Sequence, residues 1–270
     1  MNALLNCSKA GSVFFALALT CFTLSAFAVS VPKISKVKPS ETWQQLARAV
    51  GQNEENREPV IKKLRRLPTL SQSLREALSS QDRSLSLEVI SALNIQAMVP
   101  ELLERVRADQ DGFLTLAINS MMNEKNQKSI LSYYSGLLEK PSSLSNPVVI
   151  AILEPLGRLG VQIPRRTLLN LKNDGTADVR TSLLYYLRMM ALRNRVFENL
   201  DLVTALTKAP EYQIRLQAIS VSAELRSKTK IELSSLKSRD DLMALCTRET
   251  QNSVKEECLH FVAVQVAEAK

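Results

Sequence analysis

The sequence predicts an all-α protein, a solenoid (α-α superhelix) of about five to six stacked helical hairpins, and three observations predict it. Apolar residues recur with helical spacing through almost every segment, and no run alternates convincingly with the period of two expected of strands. Proline and glycine fall mainly between the periodic stretches, where they can start helices or occupy connections. A helix-opening pattern returns at intervals of roughly one helical hairpin, and that recurrence separates a repeat array from a bundle, whose helices share no opening signature.

Residues 1–28 have the layout of a secretory signal: a polar start with Lys9, an apolar stretch from Val13 to Phe27, and Ala26-Phe27-Ala28 as a small-x-small cleavage site. Cleavage between Ala28 and Val29 leaves 242 residues and places the protein in the periplasm or outside the cell. Two alternatives stay open at this end. The stretch is uncharged from Gly11 to Ser30 and only slightly shorter than the roughly 20 residues of a spanning helix, so left uncleaved it is a membrane anchor. Cys21 is a candidate lipid acceptor, although Ala18-Leu19-Thr20 matches a lipidation signal poorly. Residues 29–39 read as a linker, with three Lys and two Pro between Val31 and Pro39.

Residues 40–270 then form one repeat domain, because an array grows in one dimension and needs no internal boundary. Pro68, Pro100, Gly112, Pro141, Pro147, Pro164, Gly175 and Pro210 punctuate about eleven or twelve helices. Second helices open at Leu85, Phe113, Val148, Val179, Ile214 and Val254, at intervals of 28, 35, 31, 35 and 40 residues. Five positions after each opening stands Ile90, Ile118, Leu153, Leu184, Ile219 or Leu259. Four positions after it, Val89, Ala117, Ile152, Leu183, Ala218 and Cys258 extend one predicted buried stripe. First helices include Val99 to Val106 and Ile163 to Leu171.

The clearest copy of the pattern is Asp174-Gly-Thr-Ala-Asp178-Val-Arg180-Thr-Ser-Leu-Leu-Tyr-Tyr-Leu187, with weaker copies at Gln213-Ile-Arg215 and Ser253-Val-Lys255. Leu153-Glu-Pro-Leu-Gly-Arg-Leu-Gly160, followed by Ile163-Pro164, reads as a second helix ending and a first helix beginning. On these residues the chain resembles the HEAT-repeat family and its short bacterial relatives, from about Leu85 to Val266. The resemblance implies a curved solenoid whose second helices line the concave side, and an Asp–Arg ladder along neighbouring repeats. Asp174 with Arg180 matches that ladder, Glu249 with Lys255 is a conservative variant, and the repeat at Arg215 has Ala209 in the acidic place. No particular activity is implied.

The formal charge of +8 falls by one on loss of Lys9 with the leader. A basic chain favours anionic partners, and export points away from nucleic acid toward anionic lipid, acidic proteins or envelope polymers. The densest basic run, Lys62-Lys63-Leu64-Arg65-Arg66 beside Arg57, reads as a solvated helix face. Loss of Cys7 and Cys21 leaves Cys246 and Cys258 on either side of a polar Arg-Glu-Thr-Gln-Asn turn. A helical hairpin lets them face each other, so the alternatives are a disulfide and two reduced core cysteines.

Chemistry-bearing constellations are sparse. His260 is the only histidine, which leaves no multi-histidine metal site, and Cys258 two positions before it points to a different side of a helix. There is no Gly-x-Ser-x-Gly elbow, and Gly157, Gly160 and Gly175 are isolated, so neither a hydrolase turn nor a phosphate loop is legible. Glu54-Glu55, Asp240-Asp241 and Glu256-Glu257 are adjacent residues that point apart on helices. No enzyme activity, cofactor or metal is expected. In each of Tyr133-Tyr134 and Tyr185-Tyr186, one ring is expected in the core and the other exposed. Tyr185 near Arg188 suits a contact surface, and Arg180, Tyr185, Arg188, Arg215 and Gln217 form the expected partner-binding set. The expectation is a non-enzymatic, exported scaffold that holds a protein partner. Its rivals are an envelope scaffold anchored by an uncleaved first segment and a helical-repeat enzyme or lyase.

Overall fold

The computed structural model describes residues 42–52, 57–229 and 236–267. The expected signal, its cleavage site at Ala28 and Val29, and the linker lie outside the described residues. All helices below belong to the unit Trp43–Lys270.

Among the described residues there are fourteen α-helices and no strand. They are α1 (Trp43–Gln52), α2 (Arg57–Leu64), α3 (Leu70–Ala77), α4 (Arg83–Leu93), α5 (Val99–Asp109), α6 (Gly112–Ser120) and α7 (Gln127–Leu137). Then follow α8 (Asn146–Arg158), α9 (Arg165–Asp174), α10 (Ala177–Asn194), α11 (Asp201–Leu206), α12 (Tyr212–Thr229), α13 (Arg239–Thr247) and α14 (Asn252–Ala267). The count exceeds the expected eleven or twelve because pieces such as α3 and α11, of 8 and 6 residues, are shorter than the window over which helical periodicity can be read. The punctuating residues sit where expected: Pro100 and Pro147 in first turns, where the missing N–H has no intrahelical partner anyway, and Gly175 directly after α9.

All six predicted openings fall at the heads of α4, α6, α8, α10, α12 and α14, and each of these helices packs against the next. The odd helices α3, α5, α7, α9, α11 and α13 each pack on the even helix that follows, while α1 packs on both α2 and α4. Neighbouring even helices run in the same direction. Heads meet heads, at Arg83 with Asp111, Arg180 with Glu211 and Arg215 with Glu249, and later turns meet later turns, at Ser91 with Ser120 and Arg188 with Glu224.

The predicted stripe is buried throughout: Val89, Ala117, Ile152, Leu183, Ala218 and Cys258. So are Ile90, Ile118, Leu153, Leu184 and Ile219, while Leu259 is half-buried. The opening residues divide. Val148, Val179, Ile214 and Val254 are buried, but on α4 and α6 the buried positions are Ser86 and Leu114, one residue later than predicted. Leu85 is left half-buried and Phe113 exposed. On α4 the slip has a clear cause: the Ser86 hydroxyl donates to the Leu74 carbonyl of α3 at 2.9 Å, so a polar residue fills a core position that an apolar pattern assigns elsewhere.

Helix α8 carries Pro155 in its interior, where the missing N–H leaves the Ala151 carbonyl without its helical donor. Asn119 of α6 supplies one: its side-chain amide donates to that carbonyl at 2.7 Å, and its Oδ1 accepts from the buried Tyr134 hydroxyl of α7 at 2.9 Å. One side chain thus ties three helices together and repairs the proline defect. The other end of α8 lies close to α10. A Cβ on Gly157 would stand 3.0 Å from the Tyr186 Cα, and Gly160, at φ 75°, takes the left-handed conformation that ends the helix. Val161 N–H then closes on the Leu156 carbonyl at 2.9 Å and Gly160 N–H on that of Gly157, which makes a Schellman motif.

Cys246, in the last turn of α13, and Cys258, on α14, stand at disulfide distance with Cα atoms 5.4 Å apart. They pack in a cluster with Ile219, Ala223, Leu242 and Val262. The bridge closes the short segment that joins the last two helices. Reduction, or replacement of both cysteines by alanine, is expected to lower stability by about 3 kcal/mol, read as the shift in urea unfolding midpoint with and without reductant. An unchanged midpoint would mean that the cluster alone holds α13 in place.

A candidate partner-binding face

The exposed side of the even helices carries the residues expected to bind a partner, and the structure gives three of them another task. Arg180, near the head of α10, donates from Nε to the Lys172 carbonyl at 2.8 Å and from Nη2 to the Asn173 carbonyl at 3.1 Å, both in the last turn of α9. Its Nη1 reaches Glu211, ahead of α12, at 2.6 Å. Arg215 repeats the device. Its Nη1 donates to the Ala209 and Pro210 carbonyls, and its Nε and Nη2 grip both carboxylate oxygens of Glu249 at 2.7 and 2.8 Å. Arg83 does the same with the Leu78 carbonyl and with Asp111 and Asp109. A guanidinium has five donors in one plane, enough to bond carbonyls at the preceding helix end and grip an acid at the head of the next even helix together.

The expected ladder partners are therefore different. Arg180 pairs with Glu211 and not Asp174, which is exposed at the end of α9, because the neighbouring carbonyls take the donors that face that way. Glu249 pairs with Arg215 and not Lys255. Where the sequence offers Ala209 in place of an acid, the backbone carbonyl of Ala209 does the work. The bond to Glu249 raises the Arg215 pKa, and the same bond holds the Glu249 carboxyl below its ordinary range.

Arg188 is the third arginine of the expected set. It makes a bidentate pair across α10 and α12 with Glu224, at 2.6 and 2.7 Å, and Lys228 adds a bond to the same carboxylate at 2.8 Å. Burial pushes the Glu224 carboxyl up, but Arg188 and Lys228 outweigh it and hold the group below its ordinary value. Tyr185 and Gln217 are half-buried on α10 and α12. In the tyrosine doublets, Tyr134 and Tyr186 are in the core as expected, and their partners Tyr133 and Tyr185 are half-buried instead of exposed. The Tyr186 hydroxyl donates to the Val161 carbonyl and accepts from Ile163 N–H, and burial pushes its pKa up to about 12 against the lowering by that backbone bond.

Two residues outside the expected set stand out. Phe113 is 66% exposed and Leu116 52%, one turn apart on α6. The signal was present, since Phe113-Leu114-Thr115-Leu116-Ala117-Ile118 has more apolar side chains than one buried stripe can absorb. Aligning the buried positions of α4, α6, α8 and α10 sets Leu85, Phe113, Pro147 and Asp178 in one row across the face, and Glu88, Leu116, Ile150 and Thr181 in the next. The close approach of Gly112 to Pro147 fixes that register between α6 and α8.

Elsewhere, a cavity of about 540 Å³ opens between the head of α9 and the end of α10, beside Ile163, Arg165, Met190, Val196 and Asn199. Its Arg165 is bonded to Asp201 and Asn199. His260 is exposed on α14, and among the described residues no group of three or more His, Cys, Asp or Glu side chains could hold a metal ion. No described helix is long and apolar enough to cross a membrane. Comparison with protein-family models, with curated proteins and with solved structures finds no match.

Proposed function

We propose that this chain is an exported, non-enzymatic, HEAT-like repeat protein, a solenoid that holds a protein partner along the exposed, concave face of its even helices. The observation that carries the reading is the series of six like-opening helices packed side by side in the same direction. A repeated unit that buries one stripe against each neighbour presents a continuous outer row of side chains, which is surface for recognition. Arg180, Arg188 and Arg215 serve as links between repeats, so contact falls to Phe113, Leu116 and the half-buried Tyr185 and Gln217. Fold class supports a binding role only by analogy, and the exposed apolar residues make it specific to a place.

Cross-linked capture of the tagged full-length protein from its own cells, with mass spectrometry of the bait terminus and of what it holds, tests this reading. A bait beginning at Val29 with one dominant partner, lost in Phe113→Ser/Leu116→Ser with an unchanged unfolding midpoint, is the expected result. A bait that keeps its leader and recovers lipid and general envelope proteins would favour the membrane-scaffold reading. For that reading, the specific observation is the exposure of Lys62, Arg65 and Arg66 at the end of α2.

A further inference from the structure

The exposed face of α4 to α10 combines apolar and acidic side chains. Its centre is apolar, with Leu85, Phe113, Leu116, Pro147 and Ile150 in two adjoining rows. Its ends are acidic. Glu88 on α4 and Asp178 on α10 are exposed, and neither makes an ion pair among the described residues. Of the other charges on these helices, Glu154 is matched by Arg158 at 3.2 Å and Arg188 by Glu224 at 2.6 Å, while the exposed Arg193 stands at the opposite end of α10 from Asp178, roughly 22 Å away along the helix. Exposed cations lie away from Glu88 and Asp178, at Lys62, Arg65 and Arg66 on and just after α2, at Arg107, Lys128, Arg166 and Lys208 on the odd helices or their connections, and at Arg193 in the last turn of α10. An odd helix lies about 10 Å behind its even partner, comparable to the screening length at ordinary salt, so the local acids outweigh the net charge of +8 at this face.

We propose that this face takes a segment of a protein partner that is apolar in its middle and cationic at both ends. The proposal rests on the partner-binding reading above and names the chemistry of the partner. Apolar anchors seat on Phe113 and Leu116, which supply affinity by leaving water, and a cation at each end meets Glu88 or Asp178, which fixes register. Three helix-to-helix steps separate α4 from α10, about 24–30 Å, a span that a helical segment covers in roughly 16–20 residues. Central cations would stand over apolar side chains and lose their hydration without a partner, so the order of charges along the segment matters as well as their number.

Fluorescence anisotropy with the purified full chain and two labelled 18-residue helical peptides tests this. The peptides share a Leu/Phe centre; one ends in lysines and the other in glutamates. The lysine-ended peptide is expected to bind about tenfold tighter, two exposed charge pairs being able to supply that much. Glu88→Lys/Asp178→Lys should reverse the preference, and Phe113→Ser/Leu116→Ser should weaken the lysine-ended peptide about thirtyfold. All four residues are exposed or near the surface, and an unchanged unfolding midpoint checks that each variant folds. Equal affinity for the two peptides, lost in Phe113→Ser/Leu116→Ser, would overturn the charge assignment and keep the face as a binding surface. Affinity indifferent to Phe113→Ser/Leu116→Ser would remove both readings. Self-association in sedimentation, abolished by the same double variant, would assign the patch to a second copy of this chain and overturn the proposal.

Discussion

Replacing Asn119 by leucine is expected to destabilise the folded chain by about 1–3 kcal/mol, the cost of leaving the Ala151 carbonyl without its donor and the Tyr134 hydroxyl with only the Thr115 carbonyl at 3.4 Å. Asn119 is the donor to the Ala151 carbonyl that Pro155 leaves unpaired inside α8, and the acceptor for the Tyr134 hydroxyl. The isosteric leucine keeps the volume and removes both bonds. Tyr134→Phe, which removes the hydroxyl together with its bonds to Asn119 and the Thr115 carbonyl, should cost about 1 kcal/mol. The double variant should be more stable than the sum of the single losses predicts, since leucine then leaves only the Ala151 carbonyl unmatched. Urea unfolding followed by circular dichroism reads all three. A single-variant loss below about 0.5 kcal/mol would mean that the Ala151 carbonyl has another donor and that the proline is accommodated some other way.

Arg188→Met should cost about 3 kcal/mol, because it leaves the Glu224 carboxylate, whose side chain is 12% exposed, with Lys228 as its remaining cation. Adding Glu224→Leu should recover most of the loss, since the expense lies in the unmatched charge. The pair also sets an acid limit. The Glu224 carboxyl is held below its unfolded value, so its contribution is complete above the ordinary carboxylate range and is lost as pH falls through the folded value. Melting temperature measured between neutral pH and about pH 3 should fall at the acid end. In Arg188→Met burial dominates the Glu224 carboxyl instead, and part of that fall should disappear. Parallel curves for the two proteins would show that other carboxylates set the acid limit.

Several features of the fold were legible in the residues. The stripe at Val89, Ala117, Ile152, Leu183, Ala218 and Cys258 is buried as predicted, because apolar spacing along one helix records which side meets its neighbours. The cysteine pair was legible for the same local reason, two positions either side of one turn. Phe113 shows the limit. On a short helix that is apolar all round, spacing alone does not say which residue faces the core, and the reading slipped by one position there. The arginines show a second limit. Arg180 sits among Asp174, Asp178 and Glu211 in the sequence, and local order favours the near acid while the packed structure uses the far one.

By itself the sequence determined the helical class, the positions of the six recurring helix heads and the core stripe, and it set Cys246 and Cys258 to face each other across one turn while leaving open whether they bond. Each depends on neighbours within a helix or across one turn, where backbone geometry leaves few choices. Tertiary structure alone decided that the expected binding arginines bridge neighbouring even helices, that Asn119 repairs Pro155, and that Phe113 and Leu116 stay outside. These outcomes depend on which helix lies beside which, over separations of about thirty residues, and a planar guanidinium or a side-chain amide finds its partners only when those helices are packed.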